Sequence, residues 1–507
     1  MSVFDSLENV TRSPVLLLGV SSALLFAVYI LYTTFSRRIP SNAPQTVRGN
    51  FPITGAFGFW ANRWDFFRHA RDHSPTGSFT WNAGPNTIIG LSGDHGRRLF
   101  FESKQLGFSE GYAVMFGSAP RVEAHDDGQG VEDELSNHFH RRITYLLKTE
   151  QFRKKLPTLI SDVQEAIEAI KNDPSGMTNP FESIYRIVFR LTIRMVGAEE
   201  IAEDPKMLEQ TLKYFEMIDK SATASAVMFP KLPSPALIKR YYAGAKLFMQ
   251  IESIVKKRAA TDEKHDDALQ YMLDSGDRMF RIIEFILGAL FAGLLNSGIN
   301  AAWVLCYLAT SPDWLGKCRD EIRTTAAKYA TNPNAPLRHQ LDDVPLEAWE
   351  SEFPVVDMCL RDSIRLNLLG TAFRKNVSGR DIEIGDGKVI PPETFVTYAL
   401  ADVHHDPNVY PNPDRWDPSR YMAEKAEDKK KQYGFLGWGV ARHPCLGMRF
   451  AKLEQNIITA YFLASFDFEL VDKLGASIAK PPQVNINGHS AHKPTPAQFL
   501  KLRQREK

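Results

Sequence analysis

Cysteine is scarce in this chain of 507 residues, and net charge is almost absent. The four cysteines are too few and too scattered for a disulfide framework, and no paired Cys/His spacing indicates zinc. We therefore expect a reducing compartment. Because Lys and Arg exceed Asp and Glu by one, giving a net charge of +1, nothing in the charge supports a nucleic-acid partner.

Charge is missing entirely from residue 14 to residue 36. Twenty-three helical residues rise roughly 35 Å, enough to cross a hydrocarbon core, so we predict a transmembrane helix. A cleaved signal peptide is the alternative, but its apolar region would be shorter. Arg37 and Arg38 follow directly and place the rest of the chain in the cytosol. The predicted organisation is a membrane anchor at 1–36, a basic, proline-containing linker at 37–50 and a large domain at 51–507.

A second uncharged stretch runs from residue 285 to residue 312. By length it could span a membrane, but Asn296, Ser297 and Asn300 lie near its middle, and such groups are costly against lipid. A helix that is apolar all round is also typical of the core of a large protein. We therefore predict a long buried helix.

The remaining pattern is mainly helical, with small sheets near either end. A hairpin is expected around the turn at residues 83–86, and strands are expected at 381–390 and 394–399. Strands do not alternate with helices, so the predicted fold class is α+β, mainly α. The charged residues 424–431 are interpreted as a solvated loop.

Cys445 lies in the run Trp438-Gly-Val-Ala-Arg-His-Pro-Cys-Leu-Gly447. Backbone N–H groups around Gly439 and Gly447, together with the positive end of a helix starting near Leu446, can stabilise a thiolate here. A buried structural cysteine is the alternative interpretation.

This run resembles the haem-binding loop of the cytochrome P450 family, which has an aromatic residue, two glycines, a basic residue and then the cysteine. Trp438 takes the aromatic position, Gly439 and Ala441 take the glycine positions, and His443 takes the basic position. We expect Ala441 to avoid the positive φ that glycine permits. The resemblance implies that Cys445 is the axial ligand of a haem b iron, a ligand type that favours O–O cleavage.

The same resemblance assigns the uncharged helix to the distal face of the haem. Ala292-Gly293 matches the family's small residues, but Leu295 and Asn296 replace its acid and threonine. An amide can hold a water but donates protons poorly, so proton delivery is expected through Ser297, water or a substrate hydroxyl. Asn296 and Ser297 are therefore the predicted catalytic residues. Alternatively, Asn296 satisfies a backbone carbonyl at a bulge in the helix.

Asp362-Ser-Ile-Arg365 resembles the family's Glu-x-x-Arg element, with its two charges on one helix face. Pro418-Ser-Arg-Tyr421 resembles the segment whose arginine, here Arg420, completes a buried triad. The resemblance implies that this triad locks the loop carrying Cys445. An exposed pair that contributes little to stability is the alternative.

Haem propionates need basic partners, and the resemblance assigns this role to His443, Arg374 and Arg141. For each of them, a plain surface charge is the alternative. The candidate pocket residues are mostly apolar, which predicts a lipophilic small-molecule substrate. They are Tyr112, Val114, Met115, Phe116, Phe291, Leu295, Thr371, Phe373, Asn487 and His489.

Together these features resemble a eukaryotic microsomal cytochrome P450, distantly like the sterol 14-demethylase branch through residues 228–246, and predict a fungal secondary-metabolism enzyme. The resemblance implies a monooxygenase with a cytosolic catalytic domain, held to the endoplasmic reticulum membrane by a single span. It would oxidise a terpenoid, polyketide or sterol-like molecule.

Electrons would come from NADPH through NADPH-cytochrome P450 reductase. The basic residues Lys429, Lys430, Lys431, Arg442, Arg449 and Lys452 either steer that reductase or form a plain solvated surface. Two alternatives remain open. One is an isomerase or dehydratase that rearranges peroxides without a reductase, and the other is a membrane-tethered haem sensor.

Overall fold

The computed structural model describes residues 14–35, 39–51, 55–115, 131–228, 234–261, 264–489 and 491–505. The helices in chain order are α1 Pro14–Phe35, α2 Phe57–Ala61, α3 Arg63–Asp72, α4 Gly93–Glu102, α5 Phe108–Met115, α6 Val131–Leu146, α7 Thr149–Lys171, α8 Pro180–Val196, α9 Glu199–Glu203, α10 Pro205–Asp219, α11 Ala224–Met228, α12 Pro235–Thr261, α13 Ala268–Asp274, α14 Met279–Ala309, α15 Pro312–Tyr329, α16 Leu337–Gln340, α17 Leu346–Ser351, α18 Pro354–Asn367, α19 Ala401–His404 and α20 Met448–Ser465. Short 3-10 turns lie at Leu341–Asp343, Pro418–Tyr421 and Glu427–Lys429.

The described strands, apart from Met177–Thr178, lie before residue 110 or after residue 370, and the fold is α+β and mainly α, as predicted. They are β1 Asn50–Phe51, β2 Gly55–Ala56, β3 Phe79–Ala83, β4 Asn86–Leu91, β5 Leu106–Gly107, β6 Met177–Thr178, β7 Thr371–Asn376, β8 Ile382–Gly385, β9 Lys388–Ile390, β10 Phe395–Ala399, β11 Phe466–Val471 and β12 Phe499–Gln504.

The largest described sheet has the order β1-β2-β3-β4-β10-β7-β5, in which β4 and β10 run parallel and the other neighbours run antiparallel. Two smaller sheets have the orders β11-β12-β6 and β8-β9. The predicted hairpin is confirmed, since β3 and β4 pair with Ala83 opposite Asn86. The strands expected at residues 381–390 and 394–399 are also present, the first region as the short hairpin of β8 and β9 and the second as β10.

Helix α14 forms the centre of the helical part and packs against α8. Gly298 permits this close approach, because a Cβ there would lie 2.7 Å from the ring of Tyr185. Among the described helices, α14 is long and apolar enough to span a membrane, yet half of its most apolar segment, 50%, is buried inside the protein. The prediction of a buried core helix is therefore confirmed.

Helix α1 has a different environment from α14. It carries no charged residue from Pro14 to Phe35, and its leucines Leu18 and Leu25 are 69% and 71% exposed. The basic residues Arg37 and Arg38, on which the predicted orientation depends, lie outside the described residues.

Candidate functional site

The loop that leads to Cys445 is tightly folded. Gly439 has φ +65°, and a Cβ there would lie 2.3 Å from the carbonyl oxygen of His443. The N–H of Cys445 donates to the carbonyl of Trp438 at 2.7 Å, which closes the loop. The expectation that Ala441 avoids a positive φ is wrong, since Ala441 has φ +54°. The turn closed by the His443 N–H on the Val440 carbonyl holds it there, at a steric cost of about 1 kcal/mol.

The sulfur of Cys445 accepts hydrogen bonds from the N–H groups of Gly447 and Met448 at the start of α20. Gly439, expected to contribute as well, instead donates to the carbonyl of Leu436 at 3.0 Å. Burial raises the pKa of the Cys445 thiol, and the two hydrogen bonds offset part of that rise. The side chain nevertheless has exposed surface. A thiol that faces a cleft inside the protein is accessible from the cleft and is still enclosed by protein atoms.

Two of the predicted basic groups meet around one aromatic ring. His443 stacks on Phe108 with ring centroids 4.9 Å apart, and the guanidinium of Arg374 lies 4.5 Å from the same ring. Burial, then the charges of Arg374 and Arg442, lower the pKa of His443 to about 4, so at neutral pH His443 is an uncharged imidazole. Among the described contacts none joins this group to Arg141, which is exposed on α6.

One stripe of the central helix is open although most of α14 is buried. Ala292 and Asn296 are exposed, and Gly293, Leu295 and Ser297 are half-buried. The Asn296 side chain does not satisfy a backbone carbonyl through any described bond. The reverse contact exists, in which Nδ2 of Asn300 donates to the Asn296 carbonyl at 2.8 Å.

A buried acid beside this stripe escaped the sequence analysis. Glu454 on α20 is 1% exposed and hydrogen-bonds to the Ser297 side chain. Its neighbour Gln455 donates from Nε2 to the Ser297 carbonyl at 2.9 Å, so α20 and α14 are joined at this residue. The available signal was an acidic residue between Leu453 and Ile457 in an apolar helical stretch.

The predicted structural group, Asp362, Arg365 and Arg420, is fully buried. Arg365 Nε lies 2.7 Å from Asp362 Oδ1, whereas Arg420 Nε is 3.8 Å from the same oxygen. The short ion pair of Arg420 is with Glu427 Oε2, at 2.7 Å. The interpretation of residues 424–431 as a solvated loop is therefore wrong at Glu427, which is 6% exposed.

The reason for this arrangement lies in the acceptors available on Asp362. Its carboxylate already accepts from Arg365, from the backbone N–H of Asp417 at 2.6 Å and from the hydroxyl of Tyr421 at 3.2 Å. Arg420 consequently forms its short ion pair with a second carboxylate, that of Glu427. The two arginines also donate to backbone carbonyls of the segment before the Cys445 loop, namely those of His404, Pro411, Asn412, Pro413 and Arg415.

The candidate pocket residues on α14 and in the C-terminal turn are only partly enclosed. Phe291 is half-buried with its ring 4.8 Å from that of Phe215, and Leu295 is half-buried against the core. His489 has exposed surface, while enclosure, Arg63 and His492 lower its pKa to about 4.

The other candidates lie elsewhere. Asn487 donates to Asp65 on α3 at 2.8 Å. Phe373 is 2% exposed and packs edge-on against Phe59. Phe116, together with the side chains of Tyr112, Val114 and Met115, lies outside the described residues.

A cavity of about 230 Å³ is present well away from this site. Its lining is largely polar and includes Tyr145, Lys155, His265 and Asp267. None of the predicted site residues lines it, so the chemistry is placed at Cys445 and the open stripe of α14 instead.

The fold and the cysteine loop together define a protein of the cytochrome P450 class. A retinoic acid-bound cyanobacterial CYP120A1 has the same fold, with a TM-score of 0.70 over 91% of this chain and 99% of that one, at 19% identity. A family model described as Cytochrome P450 matches residues 138–488. The chain belongs to the cytochrome P450 family, and it is a monooxygenase.

Fungal relatives agree with this assignment. The chain is 36% identical to cytochrome P450 monooxygenase AacuE of Aspergillus aculeatus over 462 residues, which cover 90% of this chain and 92% of that one. It is 32% identical to cytochrome P450 monooxygenase dmxR5 of Cryptosporiopsis sp., covering 99% and 97%. Obtusifoliol 14-alpha demethylase of Triticum aestivum is more distant, at 25% identity over 71% of this chain and 78% of that one. The predicted likeness to sterol 14-demethylases is therefore confirmed.

Proposed function

We propose that this chain is a membrane-anchored haem-thiolate monooxygenase that inserts one oxygen atom from O2 into a lipophilic small molecule. The observation that carries the proposal is the accessible sulfur of Cys445, which receives two backbone N–H groups at the start of α20. Without a cation, burial favours the protonated thiol, whereas an iron ion at the sulfur would deprotonate it. The donor set therefore fits haem.

In this proposal Cys445 binds the iron, and Arg374, His443 and Arg141 bind the propionates. Arg374 supplies a permanent charge, and the neutral His443 supplies a ring N–H donor held in orientation by Phe108. When bound, a haem with a thiolate ligand supplies the activation of dioxygen. The loop residues keep the sulfur in place through the short bond between Cys445 N–H and the Trp438 carbonyl.

In the proposed function, the open stripe of α14 supplies the groups that act on water, protons and the substrate. The exposed Asn296 amide orients water, and the Ser297 hydroxyl passes protons. The half-buried Phe291 and Leu295 present an apolar wall, which supports a lipophilic substrate. The proposed class of substrate is a terpenoid, polyketide, sterol-like molecule or similar secondary metabolite.

The proposed location is the endoplasmic reticulum membrane, with α1 as the single span. Its exposed leucines and its lack of charge support this. The proposed electron donor is an NADPH-dependent reductase. Several of the candidate docking cations are already neutralised, since Arg449 pairs with Glu350 at 2.8 Å and Lys452 pairs with Asp357 at 2.8 Å. A reductase surface with both charge signs therefore fits better than a purely acidic one.

The ligand is tested by replacing Cys445 with Ala and recording the ferrous carbon monoxide adduct of the purified protein. We expect the red-shifted Soret band of a thiolate complex to disappear. Cys306→Ala is the matched control, because Cys306 is fully buried on α14, and this variant should keep the band. A thiolate-type band in Cys445→Ala would show that another group binds the iron.

The reaction is tested with the full-length holoenzyme, NADPH, the reductase and labelled dioxygen. Substrates are first chosen by their ability to shift the spin state of the haem, from panels of terpenoids, polyketides and sterols. Label in the product is the expected result. Product that forms without reductase or dioxygen would replace this function with an isomerase or dehydratase, and haem without turnover would indicate a sensor.

A further inference from the structure

Arg63, the first residue of α3, is a buried cation without an acidic partner among the described residues. It is 5% exposed, its Nη1 donates to the Thr371 hydroxyl at a long 3.4 Å, and its Nε is buried with no hydrogen-bond partner there. Other buried arginines each lie 2.5–2.8 Å from a carboxylate oxygen. They are Arg97, Arg194, Arg258, Arg365 and Arg420.

The guanidinium of Arg63 remains charged at neutral pH. Burial lowers its pKa to about 9, which is still above neutrality. The centroid of the Phe59 ring lies 4.3 Å from the guanidinium carbon, and a ring face is a weaker partner for a cation than a carboxylate. The described residues therefore compensate this enclosed charge only in part, which favours binding of an anion beside it.

The acid that follows in the sequence, Asp65, has other partners. Its Oδ1 accepts from Arg68 at 3.1 Å, and its Oδ2 accepts from Nδ2 of Asn487 at 2.8 Å. The N–H of Asp65 in turn donates to Oδ1 of Asn487 at 3.0 Å. Asp65 therefore holds the C-terminal turn, residues 485–489, against the start of α3 and does not neutralise Arg63.

This attachment brings two of the candidate pocket residues to Arg63. Burial, then the charge of Arg63, lowers the pKa of His489 to about 4, so His489 is an uncharged N–H donor at neutral pH. A Cβ on Gly370 would lie 3.3 Å from the His489 carbonyl oxygen, so the start of β7 and the turn are in contact. Thr371 is half-buried and His489 is exposed, so the surroundings of the enclosed Arg63 side chain open outward.

The strand beside Arg63 leads to the proposed haem site. Thr371 is the first residue of β7, and Arg374 lies three residues further along it. At about 3.3 Å per residue, the two positions are about 10 Å apart. Arg374 is assigned above to a haem propionate, and its guanidinium lies 4.5 Å from the centroid of the Phe108 ring, which stacks on His443. A molecule held by Arg63 therefore lies beside the strand that contributes to that site.

We propose that Arg63 binds a carboxylate group of the substrate, so that the enzyme acts on lipophilic carboxylic acids. This assignment rests on the proposed monooxygenase function and names the class of its substrate. A guanidinium presents paired N–H donors that match the two oxygens of a carboxylate. The Thr371 hydroxyl and the neutral His489 ring supply further donors to the same group. Arg63 thus determines specificity by binding an acidic group away from the atom that is oxidised.

The first test compares carboxylic acids with their methyl esters as ligands of the full-length holoenzyme. The probes are dodecanoic acid, abietic acid and pyrenebutyric acid, which represent a linear chain, a terpenoid and a fused aromatic system. Dissociation constants are measured from the spin-state shift of the haem. We expect at least one acid to bind at least about tenfold more tightly than its ester. Because the ester is the more lipophilic partner, partitioning cannot produce this preference.

Variants of Arg63 then assign the preference to its guanidinium. Arg63→Met should bind acid and ester equally, whereas Arg63→Lys keeps the charge and should keep most of the preference. Arg68→Met is the matched control, because Arg68 lies on the same helix with its side chain 56% exposed, and this variant should behave as the wild type. Absence of an acid preference in every pair, or a preference that survives in Arg63→Met, would overturn the assignment.

The second test distinguishes a substrate site from a structural arginine and from a propionate site. A buried cation without a counter-ion does not stabilise the fold, so Arg63→Met should keep its bound haem and have a urea midpoint no lower than the wild type. The preferred acid should raise the midpoint of the wild type but not that of Arg63→Met. A lowered midpoint without ligand would indicate a structural role, and loss of haem would indicate a propionate partner. Either result would overturn the assignment, and neither would affect the proposed function, which Cys445→Ala tests separately.

Discussion

At the scale of single residues, the fold around Cys445 imposes backbone conformations and protonation states that the same residues would not favour in an unfolded chain. Ala441 has a backbone conformation that favours glycine, and His443 is neutral beside two arginines. His404 is completely buried, and its Nε2 accepts the N–H of Leu436 at 2.9 Å, just before the Cys445 loop. Each of these states fixes one part of the loop around the sulfur.

Ala441→Gly should stabilise the protein. Glycine removes the steric cost of φ +54° but increases the freedom of the unfolded chain, so the net gain is up to about 1 kcal/mol. The measurement is the urea midpoint of the holoenzyme. Val440→Gly is the control, because Val440 lies next in the chain without a positive φ, and that variant should lose stability.

His404 should make stability depend on pH. Burial, then the charge of Arg365, lowers the pKa of His404 well below its ordinary 6.5. At pH values below 6.5, the His404 side chain of the unfolded chain therefore binds a proton that the folded chain does not bind. The contribution of His404 to the free energy of unfolding is fully present above pH 6.5 and decreases as the pH falls below that value. The expected loss from this group is about 1.4 kcal/mol per pH unit.

Glutamine at position 404 keeps an acceptor near the Leu436 N–H but does not titrate. The pH dependence of urea unfolding between pH 6.5 and 5 should therefore weaken by about one proton in His404→Gln. The exposed His73 provides the control, and His73→Gln should leave the slope unchanged. A wild-type slope in His404→Gln would contradict the assignment.

At the scale of elements, the segments that carry Asp362 and Arg420 were predictable because their motifs are local in sequence. The acid that actually pairs with Arg420 was not. Glu427 lies in a run of charged residues, which gives no sign that one of them turns inward. The burial of Glu454 was not predictable either, because its partner Ser297 lies on α14, far away in the chain, and only the fold brings the two side chains together. Ala441 shows that a hydrogen-bonded turn can outweigh residue preference.

The pair of Arg420 and Glu427 should matter far more than a surface pair. Removing one buried partner leaves an uncompensated charge, so Glu427→Gln should cost about 3–5 kcal/mol, and Arg420→Met combined with it should cost less than the two single changes added together. The readout is unfolding by urea. Asp320→Asn breaks the exposed pair with Arg323 and should cost less than about 1 kcal/mol. Equal effects at both sites would rule out a buried network.

At the scale of the whole molecule, the fold class, the central helix and the family were predictable from sequence. The pairing of β4 with β10 was not, because those strands lie about three hundred residues apart and only the folded chain brings Ile88 opposite Phe395. Phe108 and Arg374 are also far apart in the chain, by 374 − 108 = 266 residues, so their contact is likewise a property of the complete fold.

Deleting residues 1–38 should move the protein from the membrane to the soluble fraction while the carbon monoxide spectrum stays unchanged. The reason is that the exposed apolar surface of α1 is separate from the described site. Leu24→Arg with Leu25→Arg is a milder test, because both leucines lie exposed at the centre of α1, where each charge inside a bilayer costs about 2.5–3.5 kcal/mol. Alkaline extraction of membranes measures both. Continued membrane retention would show that other surfaces bind the bilayer.

The two buried arginines also have a consequence for synthesis on the ribosome. Arg365 donates to the carbonyl of Arg415, which lies 50 residues later in the chain. At roughly 5–20 residues per second, the nascent chain exposes this guanidinium for about 3–10 s before its last acceptor has been made. The helices that precede α18 can pack during this interval, but the charge at the end of α18 must remain hydrated. The region that holds the cysteine loop is therefore completed late in translation, and a pause within codons 366–415 would extend the time during which α18 is open to chaperones or proteases.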